Sequence, residues 1–242
     1  MPTVSSSDIP SLFDLLPTDW EILLLGEMHG SKQNAPLIKE VAAYAAQYHP
    51  LTCAFEWALD AKYAESLRKY VAGGVAPSVL PQFFLDSDGR FTHEHIALLK
   101  WFREWNSSNT NAVELFFFDA VAENDEVPEK KLADILLEYK KENPSRRIIV
   151  ETGVFHAKTT DWNFDGEVHT PMGVHLAQYV RVASFFLLYP SGSIRVDGDA
   201  LNVTDAELQI SPPQEGFDAH ILMPASTPTK PIQSLTNLQE WF

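Results

Sequence analysis

The chain has 242 residues, 45% of them hydrophobic and 21% charged, with a formal net charge of −15 and a pI near 4.8. That length and apolar content suit a globular core. The acidic balance argues against nucleic acid and anionic membrane surfaces as partners, because both call for clustered Lys and Arg.

The N-terminus, "MPTVSSSDIPSLFDLL", has no basic n-region and no long apolar h-region, so no signal peptide is predicted. "EILLLGE" then reads as a buried strand ending on Glu27, and "NAPLIKEVAAYAAQY" as a helix with Leu37, Ile38, Val41, Ala42 and Ala45 on one stripe. "LTCAFE" is the next strand. It holds Cys53, the only cysteine, read as a small buried hydrophobe. A lone cysteine excludes an intramolecular disulfide and any multi-cysteine zinc site. "DAKYAESLRKYVAGG" reads as a helix stopped by its glycine pair.

From about Trp57 to Asn111 the crossover is longer than a minimal βαβ unit needs. It includes "PSVLPQFFLDSDGRF" and a second helix, "THEHIALLKWFREWNSS", and reads as a helical cap insertion. Its Trp57, Phe83, Phe84, Phe91, Trp101 and Trp105 are expected mainly in the core, with one or two rings free to face an apolar substrate. His93 and His95 diverge on a helix, so they are read as helix-start residues, with His95 lining the cap.

"VELFFFDA" is a third strand, followed by the helix "PEKKLADILLEYKKENP" with Pro128 at N1. "RRIIVETG" is a fourth strand. After Gly153 come a short helix in "TPMGVHLAQYV", a strand in "RVASFFLLYP", and antiparallel edge material in "SIRVDG" and "AHILMPA"; the segment "MPASTPTKPIQS" reads as an exposed tail. The longest apolar run, "VASFFLLY", is far below the ~18 residues of a spanning helix, so a cytoplasmic protein without a membrane partner is expected. Apolar strands alternating with amphipathic helices predict one α/β domain over 1–242: a mixed, mainly parallel central sheet with helices on both faces and a helical cap over about 57–111.

In a parallel sheet the C-terminal strand ends line one edge, where ligands of open α/β folds bind. Here every one of these four strands delivers polar residues to that edge: Glu27 and His29, Glu56, Asp119, then Glu151 and His156. Residues two apart in extended backbone face the same side, so Glu27 and His29 can converge on one ligand. Asp119 and Glu151 can equally serve as helix caps or solvated loop residues. Two imidazoles with carboxylates can hold a divalent Zn, Mn, Co or Ni ion, with Glu27, His29, Glu56 and His156 as ligands. Without metal, a histidine flanked by a carboxylate can act as general base towards water. With reference pKa values such activity would rise through about pH 6 to 7. No Gly-x-Ser-x-Gly elbow, dinucleotide fingerprint or P-loop is present. His49, His169 and His220 have no assigned role.

"GEMHG" and "GVFHA" are both Gly-x-x-His after an apolar strand, and Glu56 ends the strand between them. This set resembles the superfamily that joins erythromycin esterases, Tiki/TraB-type proteins and ChaN-like haem-binding lipoproteins. "HEHIALLKWFREWN" followed by "VELFFFDA", and "PMGVHL" after the second histidine, resemble the esterase branch. The resemblance implies a catalytic centre of Glu27, His29, Glu56 and His156, supported by Arg103 and Asp119; His95, lining the cap, is a further supporting candidate. The resemblance also implies hydrolysis of an ester or amide in a small-molecule or peptide substrate. The ChaN-like branch implies the alternative, a non-catalytic protein binding haem or another small ligand through its histidines.

Overall fold

The computed structural model describes residues 2–77, 90–119, 128–164, 166–196, 199–203 and 215–229. In chain order they form β1 (Thr3–Ser5), α1 (Ile9–Phe13), β2 (Ile22–Glu27), α2 (Asn34–Ala45), β3 (Leu51–Phe55), α3 (Ala61–Val71), α4 (His93–Ser108), β4 (Val113–Phe117), α5 (Glu129–Glu142) and β5 (Arg147–Gly153). There follow β6 (Trp162–Phe164), β7 (Glu167–His169), α6 (Met172–Ala177), β8 (Val182–Leu188), β9 (Ser193–Val196), β10 (Asp199–Asn202) and β11 (Ala219–Leu222). Seven strands make one sheet in the order β1-β11-β8-β2-β5-β3-β4, and every pairing in it is parallel. Among the described residues the antiparallel strand pairs are two hairpins outside it, β6–β7 and β9–β10.

Strand alternation divides the core between two faces. Leu23, Leu25, Cys53, Phe55, Leu115, Ile149 and Phe185 turn to one side, under α1, α2, α3 and α4. Ile22, Leu24, Ala54, Ile148, Val150 and Phe186 turn to the other, under α5 and α6. A strand buried on both faces has no polar position to spare until it leaves the sheet, and all of Ile22–Glu27 is buried. The polar residues therefore gather where the strands end.

The segment "AHILM" departs from expectation. It is not antiparallel edge material: β11 lies between β1 and β8 and pairs parallel with both. Its short apolar run carries no sign of direction, and β1 covers the edge that β8 leaves free. Pro128 is the N-cap of α5 and Glu129 its first residue, one position later than expected. Cys53 is buried, as expected, and burial pushes its thiol well above the ordinary range. Trp57 and Phe91 are buried, while Trp101 and Trp105 are partly buried against the same core. Phe83 and Phe84, and the tail beyond Thr229, lie outside the described residues. No helix among the described residues is long and apolar enough to cross a membrane.

Candidate active site

β2 and β5 are neighbours, with Glu27 opposite Gly153, so the two Gly-x-x-His turns leave the sheet side by side. Each glycine makes room for the other turn. A Cβ on Gly26 would lie 2.8 Å from Ala157 Cβ and 3.2 Å from Val154 Cα. One on Gly153 would lie 3.3 Å from His29 Nε2 and 3.4 Å from His156 Cδ2. Both imidazoles thus flank the same glycine. The first turn ends at Gly30, whose φ of 84° suits glycine.

Glu56, one residue past β3, is the centre of the cluster. Its Oε2 accepts from Thr152 Oγ1 at 2.6 Å and from the Gly153 backbone N–H at 3.0 Å. Its Oε1 faces three cationic groups: Arg90 Nη2 at 3.4 Å, His156 Nε2 at 3.5 Å and His29 Nε2 at 4.0 Å. The far nitrogen of each ring is held by a second carboxylate. His29 Nδ1 bonds Glu27 Oε1, and His156 Nδ1 bonds Glu129 Oε1 at 2.7 Å. Glu129 is fixed in turn by the Met172 N–H on its Oε2 at 2.7 Å. The imidazoles are about a quarter exposed, 25% for His29 and 24% for His156, whereas Glu27 and Glu56 are 3% and 4%. The histidines form the open side of a buried acidic centre.

The electrostatics follow. Burial works against charge on His29, but the Glu27 carboxylate and its hydrogen bond, with Glu56 behind, raise its pKa to about 9. Burial likewise opposes charge on His156, and Glu56 and Glu129 overcome it and raise the pKa to about 10. Burial alone would raise Glu56, yet the charges of His156, His29 and Arg90 hold it far below the carboxylate range. Burial raises Glu27, with the Glu151 and Glu56 charges adding to it, against the pull of His29. Within that tight pair we place the proton on His29, because the other oxygen of Glu27 already accepts an N–H from Asn34. These values correct the expected pH dependence: the imidazoles are not near their reference pKa, so a neutral ring is not reached through pH 6 to 7.

The supporting residues separate. Asp119 reaches the cluster through Arg90 Nη1, at 2.8 Å. His95 belongs to a second buried pair under α4. Its Nδ1 accepts the Thr92 backbone N–H at 3.2 Å, so the ring proton lies on Nε2 and is donated to both oxygens of Glu151 at 3.1 Å. The structure does not bring Arg103 to the cluster. Its guanidinium binds the carbonyls of Tyr70, Gly73 and Gly74 at the end of α3, where a helix leaves carbonyls unpaired and favours a cation. Arg90 reaches Glu56 instead, from a loop with no pattern to flag it. Glu129 and Asn34 fall inside predicted helices and Tyr189 at the end of a predicted strand. None of the three carried a signal of its own.

Among the described residues no group of three or more His, Cys, Asp or Glu side chains is arranged to hold a metal ion. The histidines and carboxylates close on one another instead. A groove of about 630 Å³ lies at the opposite, N-terminal end of the strands, lined by Glu21, Asp134, Lys140 and Tyr179 among others.

No protein-family model matches the chain, and no curated protein matches it in sequence. Solved structures do share its fold. An erythromycin esterase mutant in its open conformation is similar at a TM-score of 0.67 and 11% identity, over 95% of this chain and 96% of that one. A succinoglycan biosynthesis protein is similar at 0.63 and 12%, over 84% and 76%. A Bacillus cereus protein is similar at 0.57 and 17%, over 82% and 73%. At these identities the likeness is one of fold.

Proposed function

We propose that this protein is a hydrolase of the erythromycin esterase, Tiki/TraB and ChaN-like superfamily, setting water on an ester or amide carbonyl. One observation carries the reading: two imidazoles turn their Nε2 atoms to one carboxylate, and each is braced at Nδ1 by another. The fold shared with an erythromycin esterase over nearly the whole of both chains supports it.

His29, with the lower pKa of the two, is the base. Its Nε2 takes a proton from water as the oxygen attacks the carbonyl carbon, and Glu27 stabilises the imidazolium formed. His156 remains protonated with Glu129 behind it and, with Arg90, faces the negative charge that develops on the carbonyl oxygen. His29 then returns its proton to the leaving oxygen or nitrogen. Glu56 keeps this set of cations together. Side chains alone perform these steps.

The pH profile tests the assignment. A base with a pKa of about 9 is about 1% neutral at pH 7, two units below that pKa. Turnover is therefore expected to rise about tenfold per unit from pH 7 and to level off only near pH 9. It should fall again as His156 loses its proton near pH 10. A plateau already reached by pH 7 would show that the base is not an imidazole held near a pKa of 9.

The deciding experiment is a panel of esters, lactones and amides with wild type and His29→Ala. Activity is expected in wild type, unaffected by EDTA, and reduced at least about 100-fold in the variant. Equal hydrolysis by both proteins would remove the activity from this cluster. An inactive wild type with a haem Soret band that His29→Ala or His156→Ala abolishes would favour the ligand-binding reading instead.

A further inference from the structure

The hydrogen bonds behind His29 run deeper than Glu27. Tyr189, directly after β8, donates its hydroxyl to Asn34 Oδ1. Asn34, the first residue of α2, donates from Nδ2 to Glu27 Oε2 and to the Met28 carbonyl, the latter at 3.1 Å. Glu27 then accepts from His29 Nδ1. Tyr189, Asn34 and Glu27 are 1%, 3% and 3% exposed, so water does not complete the chain from outside.

The direction of the chain is determined. A reversed Asn34 amide would press its oxygen against a carboxylate and a carbonyl and turn its NH2 towards the Tyr189 hydroxyl. Burial foremost, and then the Glu27 charge, raise Tyr189 well above the ordinary phenol range. The hydroxyl thus keeps its proton and donates it. An aspartate at position 34 would place a second carboxylate against Glu27, so only the amide both accepts from Tyr189 and donates to Glu27.

We propose that Asn34 and Tyr189 are positioning residues that fix the tautomer and aim of His29 by way of Glu27, linking the ends of β8 and β2 to the base. The inference rests on the reading of His29 as that base. Tyr189 orients the Asn34 amide, the amide holds Glu27 Oε2, and Oε1 is left free to receive the Nδ1 proton. His29 Nε2 then points away from the chain, towards Glu56 and Gly153. The other charged groups acting on the Glu27–His29 pair are Glu151 on β5, Glu56 after β3 and Arg90, and none of them belongs to the Tyr189–Asn34 branch. His156, braced by Glu129 on α5, has a support of its own and serves as an internal control.

The test uses the full chain with Tyr189→Phe, which keeps the ring and removes only the hydroxyl, and Asn34→Ala. Low-field proton NMR reads the imidazole Nδ1–H resonances of His29 and His156, while kinetics on the best ester reads kcat and KM separately. In both variants the His29 resonance is expected to shift or vanish while that of His156 stays. We expect kcat to fall about 10- to 100-fold in Asn34→Ala, the range for groups that orient a ligand from behind. A smaller fall is expected in Tyr189→Phe, with KM unchanged in each. An unmoved His29 resonance, or loss of both resonances together with a lower melting temperature, would overturn the proposal. If wild type hydrolyses nothing in the panel but the His29 resonance alone still responds, the positioning role stands and the hydrolase reading falls.

Discussion

Glu56→Gln is expected to lower turnover by at least about 100-fold and to drop the pKa of both histidines. Gln keeps the shape and can still accept from Thr152 and the Gly153 N–H, but it removes the charge that His29, His156 and Arg90 share. His156 then gives up its proton too readily to stay charged during attack. NMR titration should show both rings moving down from about 9 and about 10. His156 should move further, because Glu56 is the main charge raising it, whereas Glu27 holds that place for His29.

Stability should change with the same signs. The folded pKa values of the histidines lie above their unfolded ones, so their contribution is full below about pH 6.5 and is lost as pH rises through 9 to 10. Glu56 is depressed, so its contribution is present above its unfolded value and lost only in strong acid. Wild type should therefore lose stability between pH 8 and 10 more steeply than Glu56→Gln, as read from urea midpoints across that range. At pH 7 the variant should lose less than the about 3–5 kcal/mol that follows removal of one partner from a fully buried pair. The quarter-exposed imidazoles relieve the imbalance by releasing protons. Parallel pH–stability curves would show that Glu56 does not hold the charge of the two rings.

Gly26→Ala is the second large effect, and it acts through backbone spacing. The new methyl would meet Ala157 Cβ at 2.8 Å and Val154 Cα at 3.2 Å, and neither neighbour is a flexible side-chain end. Overpacking of this kind costs about 1–3 kcal/mol, which in a chain of this size lowers the melting temperature by about 2–4 °C per kcal/mol. The strain falls between the two histidine turns, so activity should fall further than stability does. Calorimetry beside kinetics at a temperature where the variant is fully folded would show this. Unchanged activity in a destabilised variant would mean that the spacing of the turns does not matter to the chemistry.

The alternation of apolar strands and amphipathic helices was enough to establish the parallel α/β sheet, because burial on both faces demands runs such as "ILLL" and "IIV". The same logic placed Glu27, His29, Glu56 and His156 at one edge, since parallel strands all end there. Their convergence depended only on local signals, the two Gly-x-x-His turns and an acid closing the strand between them. What the sequence did not contain was the direction of short strands and the partners of long side chains. β11 is four residues of ordinary apolar character, and its direction shows only in its pairing with β1 and β8. Arg103 looked like the supporting arginine, whereas the end of α3 claims it and Arg90 reaches Glu56 from a loop. Glu129, Asn34 and Tyr189 lie 27, 7 and 155 residues from the groups they brace. Two of these three separations are non-local and none is marked by a motif. The pKa values, too, depend on how many charges meet at Glu56 and how little water reaches them, and only the packed sheet edge decides that.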